Sequence, residues 1–496
     1  MWYFDRMEKE KPLDRRNEYF PALDAIRGIA EAQRKWDFRN KLGNEIAGVL
    51  LAVTPKFLMD NPEIFEIPDD MDAHYIRNQV AHGMMGNREF LRDVVHRLAQ
   101  ANFERDEVLF SFLREAEEPD FSELLGYAFM ALDGQDFNVQ RHPTLLYRAF
   151  IANVPRMIQY GGKAGGESIT EPWIADLMSE LVGIEDGDKV YDNACGMGIL
   201  TSIATAATGA TAYIQDIYFQ SAAVARILML MIGKPESVVS VGDSMLDPSI
   251  GGYNGPFDKF LIDAPVSIRT TQFREFPGYA ESKGPEWGQK FDTDWNNDQW
   301  VFVRQAFKVL SERGSGVALV PLSMLNRDGK QYRDTRAEMI ERGLVSAVIE
   351  LPTGSRSFTG IKYSIILFDR SMKHQDIYFL DLSAKGAEKY FMRNNGKLEL
   401  KYGDSERVAD AVRLREEIEE MSKVVSVAEV SRNDYRLSIG NYIQVTSSRE
   451  EALREGAAAW HRRENLKKEY LTADKELEEL LSNYNVYLNQ KAKEDN

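Results

Sequence analysis

The chain has 496 residues, with 61 Lys plus Arg against 78 Asp plus Glu for a formal net charge of −17, and is 44% apolar, 28% charged and 11% aromatic. This composition fits a folded, soluble chain of about two to four domains. It excludes disorder throughout, a span of about 18 or more uninterrupted apolar residues, and a surface given over wholly to nucleic acid.

Residues 1–150 read as a helical amino-terminal domain. Apolar side chains recur at helical spacing in Ile46–Leu58, Phe90–Leu98 and Leu124–Leu132. Solvated breaks rich in Pro, Asp and Glu separate them at Asp60–Asp72 and Glu115–Asp120. After the glycine-rich stretch Tyr160–Gly166 the texture changes. Over residues 151–400 short apolar runs alternate with helical patterns, which predicts an α/β domain with a doubly wound parallel sheet. Its seven expected strands are Lys189–Ala194, Ala212–Asp216, Val238–Val241, Phe257–Ile262, Gly316–Pro321, Val345–Glu350 and Tyr363–Phe368. Residues 401–446 read as a connecting region. In the tail, 447–496, a heptad seam runs through Leu466, Tyr470, Ala473, Leu477, Leu480, Tyr484 and Tyr487. It packs either on the chain's own helices or on a partner helix.

The first expected strand runs into Asp192-Asn193-Ala194-Cys195-Gly196-Met197-Gly198 and then into a helical stretch. Gly196 and Gly198 permit positive φ and close backbone approach, and the new helix points free N–H groups at the loop. Asp216 ends the second strand, placed to accept ribose hydroxyls, and Asp243 follows the third, on the same sheet edge and within reach of an adenine amino group. The loop lacks the three-glycine dinucleotide fingerprint, and no phosphate-binding Gly-Lys-Ser/Thr loop follows a strand. S-adenosylmethionine is therefore the favoured ligand. Cys195 is the sole cysteine, so internal disulfides and multi-cysteine zinc clusters are excluded. With the charged segment Met1–Lys11, which lacks a signal-peptide core, it argues for a cytoplasmic location without membrane attachment. The six histidines are scattered, and no metal site is expected.

The Asp192–Gly198 loop resembles the Asp-Pro-Ala-Cys-Gly-Thr-Gly loop of the modification subunits of type I restriction-modification systems, which are S-adenosylmethionine-dependent adenine-N6 DNA methyltransferases. Gly166–Thr170, followed by Leu177-Met178, is similar to that family's preceding cofactor motif. Pro321 within Val320–Leu325, then Arg336, Val348–Gly354, Phe358–Ile361 and Asp434–Ile443 keep the family's order. The resemblance implies a Rossmann-like class I methyltransferase domain between an all-α amino-terminal domain and a carboxyl-terminal helical tail. It adds Thr170 and Ala194 to the cofactor-binding residues. The implied partners are double-stranded DNA, a separate specificity subunit joined by two modification copies, and a restriction and translocation subunit.

The family's catalytic motif is Asn or Asp followed by Pro-Pro-aromatic, and here it reads Asp263-Ala264-Pro265-Val266. Asp263 supplies an acceptor for the hydrogens of a flipped adenine's N6 amine, and Pro265 a rigid backbone. Ala264 and Val266 depart from the motif, which keeps open a second reading: a scaffold subunit that binds S-adenosylmethionine but transfers poorly. A third reading comes from Arg77-Asn78-Gln79-Val80-Ala81-His82, which resembles the motif of the metal-independent HEPN ribonucleases.

Overall fold

The computed structural model describes residues 16–35, 45–71, 73–81, 88–118, 121–161, 169–245, 255–265, 300–357, 359–394, 397–401 and 403–443, together with 460, 463 and 467. The chain divides into two units, Met1–Ile443 and Gln444–Asn496. In the second, the Arg463 guanidinium lies 5.4 Å from the ring centroid of Trp460. The seam residues Leu466 to Tyr487 fall outside the described residues.

The first unit opens with seven helices among its described residues, Arg16–Lys35, Glu45–Asp60, Ala73–Ala81, Arg88–Asn102, Glu107–Leu113, Ser122–Ala131 and Leu145–Gly161, and no strand precedes Lys189. The three helices expected by periodicity are all present. Glu45–Asp60 lies at the centre of this layer: every side chain from Glu45 to Leu58 is buried, as befits a helix that is apolar nearly all round. Arg88–Asn102 instead buries one stripe, Leu91, Val94, Val95, Leu98, Ala99 and Asn102. Asp106 caps the next helix, accepting from the Leu109 N–H at 3.0 Å.

All seven expected strands form: β1 Lys189–Asp192, β2 Thr211–Asp216, β3 Val238–Val241, β4 Phe257–Ile262, β5 Leu310–Pro321, β6 Val345–Glu350 and β7 Tyr363–Asp369. The sheet nevertheless has nine strands rather than seven, because β8, Asp376–Asp381, and β11, Ser422–Ser426, extend it. A separate hairpin is made of β9, Phe391–Asn394, and β10, Lys397–Leu400. The order is β11-β8-β6-β7-β5-β4-β1-β2-β3. Nor is the sheet parallel throughout. β7 runs antiparallel to both β5 and β6, and β11 antiparallel to β8. β8 is buried over Ile377–Leu380 and has β11 paired along its outer edge, whereas β11 leaves Lys423 and Val424 half-exposed and so carries no continuous apolar run. The segment expected to act as a connector thus supplies the sheet's last strand.

Alternation along the strands divides two cores. Val190, Leu261, Val317 and Leu319 join the core shared with the amino-terminal helices. Tyr191, Phe260, Ile262, Ala318 and Val320 face the other, filled by Trp300, Phe307, Met339 and Ile340. The helical layer is pinned to the sheet layer by polar ties as well. Arg226 pairs with Asp106 and donates to the Ser237 carbonyl at 2.9 Å, and the Tyr147 hydroxyl donates to Ser202 Oγ at 3.1 Å.

β4, β1 and β2 are parallel neighbours, with Tyr191 level with Phe260 and Tyr213. Their carboxyl ends therefore open on one edge, where the strand order reverses direction and a crevice forms.

Candidate active site

β1 ends at Asp192, which is 1% exposed. Thr201 Oγ1 donates to its Oδ2 at 2.7 Å and the Ala194 N–H to its Oδ1 at 3.1 Å. Burial raises its pKa to about 7: those two donors pull it down, while the charges of Asp216 and Asp263 push it up. The loop then turns through Gly196 and Gly198, with φ of 52° and 73°. At Gly198 packing adds a second constraint, since a Cβ there would lie 2.7 Å from the Ala225 Cβ. Just before Gly196, Cys195 is buried, and burial beside Asp192 and Asp216 lifts its thiol well above the ordinary value, which leaves it a poor nucleophile.

Asp216 closes the loop from the neighbouring strand. Its Oδ2 accepts the Gly196 N–H at 2.8 Å and its Oδ1 the Tyr218 N–H at 2.9 Å. Burial raises its pKa despite these donors. Beyond it Ile217 and Tyr218 stand more than half exposed, apolar surface beside a carboxylate. Asp243, after β3, is half-buried and accepts the Met245 N–H at 2.8 Å.

Asp263 follows β4 directly. Its side chain is 4% exposed, and so is that of Arg356, whose Nη1 lies 2.7 Å from its Oδ1. Thr170 Oγ1 donates to the other oxygen, Oδ2, at 2.7 Å. Arg356 also sits over the Tyr363 ring, 4.9 Å from its centroid, and reaches the Ile169 carbonyl at 3.4 Å. Burial works against the Arg356 charge, yet Asp263, with Tyr363 and Glu171 behind it, outweighs burial and holds the guanidinium above its ordinary value. One residue on, the Ser357 N–H donates to Glu171 Oε1 at 2.9 Å.

One pocket, partly open to solvent, brings together Thr170, Asp192, Ala194, Gly196 and Asp263 with Ile169, Cys195, Met197, Ile199 and Leu200. Asp216 contacts this lining through Gly196. Gly198 is turned onto the Ala225 helix, and Asp243 and the exposed Pro265 lie outside the lining. Val266, His82 and the Arg77 side chain fall outside the described residues. Arg356 and Glu171 were not legible as site residues: they approach Asp263 and Ser357 across 93 and 186 intervening steps of chain, and no periodicity spans such separations.

The sequence profile of the N-6 DNA Methylase family matches residues 147–451. The chain belongs to this family. It is 24% identical over 311 residues to the type I restriction enzyme MpnII methylase subunit of Mycoplasma pneumoniae, covering 59% of this chain and 56% of that one. It is 23% identical over 320 residues to the MjaVII methylase subunit of Methanocaldococcus jannaschii, covering 58% and 51%. The matches thus span about half the length of these curated relatives. In fold it is similar to the type I restriction-modification methyltransferase subunit from Streptococcus thermophilus, with a TM-score of 0.70 at 18% identity, covering 86% of this chain and 100% of that one. The Rossmann-like class I methyltransferase fold expected from the motifs is the fold observed. Among the described residues no helix is long and apolar enough to cross a membrane, and no group of three His, Cys, Asp or Glu side chains is placed to hold a metal ion.

Proposed function

We propose that this chain is the methyl-transferring modification subunit of a type I restriction-modification system, acting on a flipped adenine in double-stranded DNA. The observation that carries the reading is that Asp263 lines the same pocket as Asp192 and the Gly196 loop. An acceptor for the target amine and the residues assigned to the methyl donor therefore share one wall. The donor set also fits a cation: Asp192 and Asp216 are buried carboxylates with raised pKa values, and a positive ligand relieves their mutual repulsion. In this reading Asp216 takes the ribose hydroxyls, Asp243 the adenine amino group, and Thr170, Asp192, Ala194, Gly196 and Gly198 shape the remaining contacts.

When bound, S-adenosylmethionine supplies a methyl group on a cationic sulfur, electrophilic enough for an amine to take. Asp263 accepts an N–H of the adenine amine, which returns the nitrogen lone pair from the ring toward the methyl group. Pro265 stiffens the turn after Asp263. The buried pocket walls keep water from competing for the methyl group.

The tail 447–496 is assigned to docking on a specificity subunit, with two copies of this chain per complex and a restriction and translocation subunit joining them in the cytoplasm. In this reading residues 1–150 form the helical domain and 151–400 the transferase domain. The missing second-position proline, Ala264, favours one alternative, a subunit that binds S-adenosylmethionine without efficient transfer. Mapping N6-methyladenine in the native host and in a strain deleted for this gene decides between them. A methylated motif that disappears with the gene supports transfer; identical methylomes, with the protein expressed, leave the scaffold.

A further inference from the structure

We propose that Arg356 is a positioning residue for methyl transfer: a fixed counter-cation that lets a buried aspartate, rather than an amide, receive the target amine. The inference rests on the transferase reading above. A carboxylate as enclosed as Asp263 is costly unless it is paired and hydrogen-bonded. Arg356 provides the opposite charge at 2.7 Å and is itself enclosed to the same degree. Thr170 holds the second oxygen. Each carboxylate oxygen has two acceptor positions, so one on each remains for an amine N–H, and the two bound donors fix the direction in which those positions face.

The guanidinium is not free to drift. Nη2 reaches the Ile169 carbonyl, the cation lies over Tyr363, and the neighbouring Ser357 N–H holds Glu171. Three segments close on one carboxylate: residues 169–171, the end of β4, and the loop after β6. This network restrains a side chain whose own backbone lacks the stiffness of a proline at Ala264. The opposite reading makes Arg356 a plug that must leave before a base can enter. Its departure would strand a buried charge and give up the Tyr363 and Ile169 contacts together, so the geometry favours positioning.

The test uses the full-length chain with its native partner subunits and DNA, following single-turnover methyl transfer and, by calorimetry, S-adenosylmethionine binding. Arg356→Met is expected to lower the single-turnover transfer rate by roughly 10²-fold with the Kd for S-adenosylmethionine within about twofold of wild type. Arg356→Lys recovers part of the loss. Asp263→Asn/Arg356→Met recovers roughly tenfold over Arg356→Met alone, because a neutral amide acceptor needs no counter-charge. If Arg356→Met does not fold, the double variant, which leaves no unpaired buried charge, carries the comparison against Asp263→Asn. Arg356→Met that is as active as wild type, or more active, overturns the proposal. So does a double variant no better than Arg356→Met. A wild-type complex that binds S-adenosylmethionine but transfers nothing overturns the transferase reading itself and this inference with it. That outcome is distinguishable because it precedes any substitution.

Discussion

The Thr170 hydroxyl lies 2.7 Å from Oδ2 of Asp263, across 93 steps of chain. A residue assigned from its motif to the methyl donor therefore also holds the carboxylate assigned to the target amine, and Thr170 lines the pocket while doing so. Under the proposed roles, the two halves of the reaction are coupled through one side chain.

Replacing that hydroxyl tests the coupling. Thr170→Val keeps the shape and removes the donor, leaving a buried carboxylate oxygen short of a partner at a cost of about 1–3 kcal/mol. Methyl transfer is expected to fall by about tenfold or more, with Thr170→Ser close to wild type. Loss in Thr170→Ser with Thr170→Val close to wild type would show that the methyl group of Thr170, not its hydroxyl, matters.

The two loop glycines are expected to respond differently. Gly196→Ala meets only an unfavourable φ, since nothing lies within 4 Å of the new Cβ, and should cost about 1 kcal/mol. Gly198→Ala adds a collision with Ala225 at 2.7 Å and should cost roughly 1–3 kcal/mol more. Urea unfolding of both variants gives the order; equal midpoints would contradict the packing argument.

The raised pKa of Asp192 sets a pH dependence with a definite sign. In the folded chain this carboxyl keeps its proton up to about pH 7, whereas in the unfolded chain it loses it near the ordinary value of 3.8. The ligand-free protein thus loses stability from this group as pH rises between those values, and the loss is complete above about pH 7. A cationic ligand prefers the ionised form, so S-adenosylmethionine binding should tighten toward pH 7, level off above it, and release a proton when measured near pH 6. Calorimetry in buffers of different ionisation enthalpy reads that proton. Binding without proton release at any pH would remove Asp192 as the titrating group.

Arg226 joins the helical layer to the sheet layer, pairing with Asp106 while donating to the carbonyls of Ser237 and Pro235 at 2.9 and 3.1 Å. Both side chains of the pair are mostly buried, 15% and 12% exposed. Arg226→Met should destabilise the first unit by about 3 kcal/mol in chemical unfolding, because the Asp106 charge is left without its partner. A change within about 0.5 kcal/mol would place the pair among surface interactions of little worth.

Most of the sheet was legible in the chain because β1, β2 and β4 to β7 carry apolar runs bounded by turns, and a strand largely buried on both faces is written that way. The reversal of β7 was not: Tyr363–Asp369 has the same buried texture as β5 and β6, to which it runs antiparallel, and direction is set by the loop that precedes it rather than by composition. β11 was hidden because an edge strand with one wet face has no apolar run to show. At the site, Asp192, Asp216 and Asp263 could be placed because each ends or directly follows a strand on a common edge. Arg356 could not, since its importance lies in a contact that exists only once the sheet has assembled. Gly198 was readable as a glycine, but its dependence on Ala225 comes from a helix packed behind the loop.

The strand at the far edge bears on how the chain can be shortened. β11 pairs with β8 over Ser422–Ser426, opposite Asp376–Leu380. A polypeptide stopped before Ser422 would retain every residue assigned to the pocket. It would also present the outer N–H and C=O groups of β8 to solution as an unpaired row, flanked by the buried side chains of Ile377 and Phe379. Such an edge recruits a strand from another molecule. Loss of solubility in that truncation would then report self-association and say nothing of the pocket's competence.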